Sequence, residues 1–583
     1  MDDPPPPLAV TATNEYGEYD RAALALYGLE MVVEPYRETT LAANGSVSSA
    51  NSIFCWRVEE VDDSGVPLDS VDPVLVVASG DEVTVTLTKP GSMYLLSVGQ
   101  HSRNGTLLSR AAVRMSCKYV RREIRTLNDA DREEFLDAME TYYTMSTEEG
   151  MSKFGETFFN YQKITALHSL PRTNFCYRGG LQFLTAYAAF DLMMERSLQA
   201  VNPRVSLPFW DYMIDATTLG TEWADSVIFD DGMFGRAVGS TANGYQVTGS
   251  RFGNISTIDD PGNTLVDSKI PPLHNAYGLI GAEHNYQDLP RLTRTSSFCN
   301  LKAHAKFASP DVLFSCFENH RTLAGWETCM EEKVYGDMQG LLGGAFNCSV
   351  DMHQFHEEHD EYSAGLLTFV LKFLTSSKWP ENGFMSEYND CDTECTRGQT
   401  EPCGCTCKVD AFTLSEDEVY SLASGLMEEL SGQFAGEDFV SYDEFSNRPW
   451  GFMQDGTRLD DDSTMLLLRH VVKLGCEPAA VGAMSTGASP MDPLFWMLHP
   501  LFEKALHVVW LSPQYRDKYE FEWKNGTCNG SKLDDALPFT ERLLGTGTRS
   551  NFLSNSEIMS MLHPSNPRLP YVYENFADWG AKD

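Results

Sequence analysis

Apolar residues recur every three or four positions between Phe495 and Val509. Phe495, Leu498, His499, Phe502, Leu506 and Val509 fall on one stripe. That period predicts an amphipathic helix. Pro490, Asp492 and Pro493 ahead of it read as a helix start, with a capping carboxylate and a proline where the first turn needs no N–H. His499 lies on the stripe, so its imidazole should point into the core. It can serve there as a buried histidine with one hydrogen bond or as a metal ligand. The same period follows Leu127-Asn128-Asp129, where Phe135, Leu136 and Met139 come next. It returns over 181–199, with Leu184, Ala188, Leu192 and Leu198 inward, and again over 414–430 and 465–474.

A period of two precedes these helices. The runs Val74-Leu75-Val76-Val77-Ala78, Glu82–Thr88 and Met93–Val98 read as strands, the second alternating apolar and β-branched residues, and Lys89-Pro90-Gly91 is a turn between the last two. The pattern predicts a multidomain chain. Residues 1–7 form an extended proline-rich leader. Residues 8–118 form an all-β, immunoglobulin-like or PKD-like sandwich, in which Cys55 and Cys117 could form a disulfide. Residues 119–540 form a mainly α helical-bundle domain with long loops, glycine-rich over 212–350. Residues 541–583 form a C-terminal segment packing on that domain.

Composition narrows the function classes. The 583 residues carry a net charge of −39, which disfavours nucleic acid and anionic membrane surfaces as partners. No apolar run is long enough to span a bilayer, and Gly365–Leu374 is short and contains Lys372. Fourteen cysteines accompany six N-x-S/T sequons beginning at Asn44, Asn104, Asn254, Asn347, Asn525 and Asn529. An even cysteine count with many sequons points to an oxidising, glycosylating compartment and a secreted or cell-surface protein bearing N-glycans. Met1-Asp2-Asp3 and the four prolines after it lack the apolar core of a signal peptide, so a leader is expected to have been trimmed from this numbering.

Cys391, Cys395, Cys403, Cys405 and Cys407 crowd one insertion, 391–407. Their spacing is tighter than usual zinc loops, so disulfides stapling a loop are expected. Five is odd, so one of them should reach elsewhere. Asp460-Asp461-Asp462 lacks the glycine and distal glutamate of a calcium loop.

Four segments carry a family resemblance. Ser489-Pro490-Met491-Asp492-Pro493-Leu494-Phe495-Trp496, followed by His499-Pro500, resembles the last copper-ligand helix of the tyrosinase family, the type-3 copper proteins. Val120 to Arg132 resembles that family's opening helix. Leu207-Pro208-Phe209-Trp210-Asp211 resembles its L-P-Y-W-D signature. Leu569-Pro570-Tyr571-Val572-Tyr573-Glu574-Asn575-Phe576 resembles a C-terminal segment of a secreted-type subfamily. The resemblance covers residues 119–583. It implies a helical bundle around two coppers, each held by three imidazoles, and oxidation of phenols or catechols.

The ligand slots match poorly. His168 fits the first. The next segment, Cys176 to Tyr187, resembles C-x-H-x-G-x-x-F-L-x-x-H, but Arg178 and Tyr187 stand where the two histidines belong. A guanidinium offers no lone pair, and a phenol, with a pKa of ~10, stays protonated near neutrality. On this alignment the first copper is lost. For the second copper, His499 fits the third slot, and the first two should be an H-x-x-x-H pair. His353, His356 and His359 offer one candidate set, at spacing three and three, and copper or zinc could bind there with His499. They read equally as a polar, acidic helix face. Aligning instead on Val481-Gly482-Ala483-Met484-Ser485, which resembles the G-G-x-M-S after the pair, lands on Leu474 and Pro478. The resemblance thus implies a degenerate, inactive scaffold with a structural or binding role, assembling with itself or with other extracellular proteins or matrix. An active copper oxidase and a single-metal protein are the alternatives.

Overall fold

The computed structural model of the protein describes residues 8–44, 52–62, 64–68, 74–76, 80–168, 179–253, 255, 292–375, 388–391, 405–433, 439–485, 489–527, 529–537 and 552–576. The leader 1–7, Cys176, Arg178, Asn254, Cys395 and Cys403 lie outside the described residues.

Strands open the chain: β1 (Ala9–Asn14), β2 (Gly17–Glu18), β3 (Met31–Val33), β4 (Thr39–Asn44), β5 (Ser52–Val61), β6 (Val74–Val76), β7 (Glu82–Val85), β8 (Met93–Ser102), β9 (Leu107–Cys117) and β10 (Tyr119–Arg121). They form one sheet in the order β2-β1-β4-β7 and a second in the order β3-β9-β8-β5-β6. Along β8, buried positions alternate with more open ones, as the pleat requires. Leu41, Val85 and Leu87 from the first part meet Trp56, Val58, Leu96, Val98 and Met115 from the second in one shared core.

The expected Cys55–Cys117 disulfide does not form, and both thiols are free. Strand alternation gives the reason. Cys55 lies between buried Phe54 and Trp56 on β5, so it faces outward and is exposed. Cys117 ends β9 facing the core, and burial pushes its thiol up to about 12.

The helical part comprises α1 (Arg21–Tyr27), carried within the strand-rich region, and then α2 (Asp129–Thr144), α3 (Thr147–Phe154), α4 (Tyr161–His168), α5 (Gln182–Val201), α6 (Tyr212–Thr218), α7 (Pro310–Asn319), α8 (Leu323–Cys329), α9 (Asp337–Gly343), α10 (Met352–Glu358), α11 (Ala364–Phe373), α12 (Glu416–Gln433), α13 (Asp461–Cys476), α14 (Phe495–Leu511) and α15 (Asn555–Leu562). The Asn128 side chain caps α2 by accepting from Asp131 N, and Asp129 and Asp131 sit in its first turn, where the helix dipole favours carboxylates. Asp460 caps α13 in the same way through Ser463 N. The cysteine-rich insertion does send one thiol elsewhere: Cys407 is bonded to Cys476 at the end of α13. Cys299–Cys348 and Cys316–Cys329 are also bonded.

The helix α14 departs from the amphipathic expectation. Every residue from Phe495 to Val509 is buried, including Lys504 and His507. A helix enclosed on all sides needs no polar face. Its start is pinned by a buried bidentate pair, in which Arg294 Nη2 and Nε lie 2.5 and 2.6 Å from the two oxygens of Asp492, while Asp492 Oδ1 also accepts Leu494 N at 3.0 Å. The Leu207–Asp211 segment clamps α14 to the opening strand. Trp210 N donates to Met497 O at 2.8 Å, and Phe209 N donates to Arg122 O at 2.9 Å.

Beyond Cys117 the chain enters β10, which pairs in parallel with the C-terminal strand Tyr571–Tyr573. Arg121, on β10, is fully buried. Its guanidinium meets Glu195 of α5 at 2.6 Å and Glu503 of α14 at 2.5 Å. It also lies 3.5 Å from the Tyr571 ring centroid. The Tyr571 and Tyr573 hydroxyls donate to the two oxygens of Glu503 at 2.5 and 2.6 Å. Beside this knot, His507 Nδ1 lies 3.2 Å from the Tyr27 hydroxyl. Burial, then the charge of Arg121, holds the His507 imidazole well below its ordinary range, so it is neutral.

Two predictions follow from the knot. Arg121→Ala leaves Glu195 and Glu503 buried without their cation, and urea unfolding should show a loss of about 3–5 kcal/mol. For His507, the unfolded chain takes up a proton near pH 6.5 while the folded chain resists it. The stability of the wild type relative to His507→Phe should therefore fall by about 1.4 kcal/mol for each pH unit below about 6.5. Unfolding curves of both proteins across pH 5–7 check this.

Candidate functional site

Helix periodicity brings five polar side chains together at the centre of the bundle. His168 ends α4, Tyr187 lies in the second turn of α5, and His499 lies one turn into α14. A π-helical stretch, Met330–Gly336, carries Tyr335, and α9 continues it with Gln339. His168, Tyr187, Tyr335 and His499 are each at most 3% exposed.

Hydrogen bonds join them in two pairs. His168 Nε2 and the Tyr187 hydroxyl share one at 2.9 Å. His499 Nε2 and the Tyr335 hydroxyl share one at 2.5 Å. Gln339 Nε2 donates to the Tyr335 oxygen, which leaves the phenol proton for His499 Nε2. The Tyr187 ring then stacks on the His499 ring, with centroids 4.2 Å apart and planes 16° apart. Phe495 closes the side, its centroid 4.4 Å from His499 and 5.2 Å from His168. Phe183 lies 4.4 Å from Tyr187. The centre is thus a packed aromatic plug joined by phenol–imidazole bonds.

The structure gathers His168, Tyr187 and His499, as the alignment places them. It sets His353, His356 and His359 apart from them. Those three lie on or just after α10, where His353 pairs with Glu357 at 3.6 Å and His359 with Glu361 at 3.1 Å. His356 Nδ1 has no hydrogen-bond partner among the described residues. Phe355 of the same helix packs on His359, Tyr362 and His470. Among the described residues, no three His, Cys, Asp or Glu side chains gather into a metal-binding group.

Tyr335 and Gln339 were not legible as site residues. They have the four-residue spacing required of the second copper's pair, and Gly343-Gly344 follows them. The signal is hidden because a long insertion splits the glycine motif. Ala345 pairs with Val481, and Gly482 N donates to Gly343 O at 3.1 Å, so Gly343-Gly344 and Gly482–Ser485 adjoin in space. A Cβ on Gly343 would lie 2.0 Å from Ser485 Oγ. Counting back from Val481 along the chain therefore runs into α13, which belongs to the insertion.

The donor set does not fit a pair of coppers. Two imidazoles are present where six are needed, and the Nε2 of each faces a phenol. An amide and two phenols stand in place of imidazole nitrogens. The helix that leads to Tyr335 is acidic as well. Burial, then the charge of Glu331, pushes the Glu327 carboxyl up to about 10, so it is protonated at neutral pH. Glu331 in turn accepts the backbone N–H of Gly179 at 3.1 Å.

Tyr335→Phe removes one hydrogen bond from His499 and one from Gln339. Chemical denaturation should show a loss of about 1–3 kcal/mol, larger than for a surface Tyr→Phe change.

Residues 159–355, the span that contains His168, Tyr187, Tyr335 and Gln339, match the family model described as the common central domain of tyrosinase. No curated protein matches the chain. The chain thus carries a tyrosinase-family central domain over residues 159–355.

Proposed function

We propose that this protein is a secreted tyrosinase-like glycoprotein whose central site has exchanged copper chemistry for packing, and whose role is structural or binding. One observation carries the reading: the two surviving imidazoles direct Nε2 at the hydroxyls of Tyr187 and Tyr335, residues that stand in ligand slots. A type-3 centre binds dioxygen between two metals, so loss of either ligand triad removes the reaction. Arg178, which occupies another slot in the sequence, has no lone pair to give.

Other features support the extracellular setting. The disulfides among the described residues, Cys299–Cys348, Cys316–Cys329 and Cys407–Cys476, suit an oxidising compartment. The sequon asparagines Asn44, Asn104, Asn347, Asn525 and Asn529 are all exposed and accessible to glycan attachment. No helix among the described residues is long and apolar enough to cross a membrane. We read the two-sheet N-terminal module as immunoglobulin-like or PKD-like, a type of module suited to adhesion. Its partners would be other extracellular proteins, matrix or further copies of this chain.

The test uses the full chain secreted from a eukaryotic host and purified without chelator. Metal analysis should find no stoichiometric copper, and copper loading should produce no catechol oxidation. The variant Arg178→His, Tyr187→His, Tyr335→His, Gln339→His should gain copper binding that the wild type lacks. Two coppers per wild-type chain with catechol oxidation would establish the active-oxidase reading instead.

A further inference from the structure

Two exposed patches of opposite charge lie outside the central plug. The first is the outward face of the sheet β3-β9-β8-β5-β6. Phe54, Trp56 and Val58 of β5 turn into the core, so Ile53, Cys55 and Arg57 point outward and are exposed. The register sets Cys55 opposite Gly99 of β8, and Gly99 opposite Arg110 of β9. Leu107 and Arg114 of β9 share that face. Ile53 and Leu107 are 46% and 40% exposed. Arg57 pairs with Glu59, which is buried, and Arg114 pairs with Glu30 at 3.0 Å. Arg110 has no ion-pair partner among the described residues. On a chain of net charge −39, this face is an island of guanidiniums around apolar side chains.

The second patch is a hairpin tip. The strands Val440–Tyr442 and Trp450–Gln454 pair antiparallel, and the loop between them carries Asp443, Glu444 and Phe445. Phe445 is 90% exposed and Tyr442 60%. The loop is held in shape. Asp443 Oδ1 accepts Phe445 N at 3.0 Å, and Asp443 N donates to Pro449 O at 2.8 Å. Arg458 donates to the carbonyls of Arg448 and Pro449 at 2.8 and 3.0 Å. The Tyr442 ring packs edge-on against Trp450, with centroids 4.8 Å apart. Arg448 is taken up by Glu416 at 2.8 Å and Asp417 at 3.1 Å, so it does not neutralise the tip. Asp443 and Glu444 have no cation partner among the described residues. Two aromatic rings on a held loop leave apolar area in water that docking would remove, without an ordering cost for the loop.

We propose that the two patches fit each other between copies of this chain: the hairpin tip of one copy docks on the outer sheet face of another. Phe445 and Tyr442 would cover Ile53, Cys55 and Leu107, while Asp443 and Glu444 meet Arg110. Aromatic rings and arginines are the side chains that anchor such contacts, and opposite charges set the register. The contact joins two different surfaces, so it closes as a reciprocal dimer or runs on as an open chain. It names the partner in the structural role proposed above and rests on that reading. Copper content tests that role by itself, so either can fail alone.

Sedimentation velocity of the full secreted chain, at rising concentration in about 0.15 M salt, is the test; there the Debye length is about 8 Å, so the net charge is screened while contact pairs persist. The chain is run before and after glycosidase treatment, because the Asn104 sequon lies in the turn between β8 and β9, beside the face. The wild type should associate. Arg110→Glu, Glu444→Lys and Phe445→Ser should each weaken association about tenfold or more, with unchanged thermal unfolding, since all three positions are exposed. A bulky maleimide on the exposed Cys55 thiol should weaken it as well. Arg110→Glu mixed with Glu444→Lys should form a one-to-one pair that neither forms alone, because the mixture restores a native tip to a native face. A wild type that stays monomeric in both forms, association that survives the three substitutions, or a mixture no more associated than its components would overturn the proposal.

Discussion

Arg121 is the residue on which the arrangement of this protein depends. A fully buried guanidinium must be paired, because an isolated charge in the interior is far too costly. Here it is paired twice, with Glu195 on α5 and Glu503 on α14, and its face is covered by Tyr571 from the end of the chain. Four segments distant in sequence are thereby held at one point. Such a knot adds little net stability compared with a well-packed apolar cluster, but it tolerates few alternative arrangements. Any shift of α5 against α14 would strand a charge.

The same two helices carry the candidate site. Tyr187 lies two turns before Glu195 on α5, and His499 lies one turn before Glu503 on α14. Fixing Glu195 and Glu503 on one guanidinium fixes the Tyr187 ring over His499. On the proposed reading, in which nitrogen ligands have been replaced, a cavity shaped for two cations would be a polar void, with the unmade hydrogen bonds that make such voids costly. Phenols suit the vacated slots. They fill volume, they stack, and their hydroxyls satisfy the remaining imidazoles. Tyr187 stacks on His499 and bonds His168, while Tyr335 packs at a tilt against His499 and bonds it. The plug is therefore a coherent core, with each replacement meeting the needs of its neighbours.

Much of this could be read from residue order. The switch in period near residue 118, the long helices α2, α5, α13 and α14, and the placement of His168, Tyr187 and His499 all rest on local patterns, and local patterns survive in the fold. What failed depended on non-local geometry. Cys55 and Cys117 looked like a pair, but the alternation of β5 turns one outward while the end of β9 turns the other inward. The burial of α14 on every face follows from how many elements surround it, which no stripe on the helix itself records. Tyr335 and Gln339 escaped because their marker glycines are separated by an insertion that folds back on itself, closing through the Ala345–Val481 pair. The histidine-rich α10 lies inside that insertion, and its clustered imidazoles carry the ligand chemistry that the tyrosine and glutamine lack.

The central claim is that the Tyr187 and Tyr335 hydroxyls engage His168 Nε2 and His499 Nε2, the nitrogens that would otherwise hold copper. Crystals grown in excess copper, with anomalous diffraction recorded at the copper edge, test it most directly. The account predicts no anomalous peak bonded to the Nε2 atom of either histidine, and continuous density from each imidazole to its tyrosine hydroxyl. One or two copper peaks at those nitrogens, with Tyr187 and Tyr335 displaced, would contradict it.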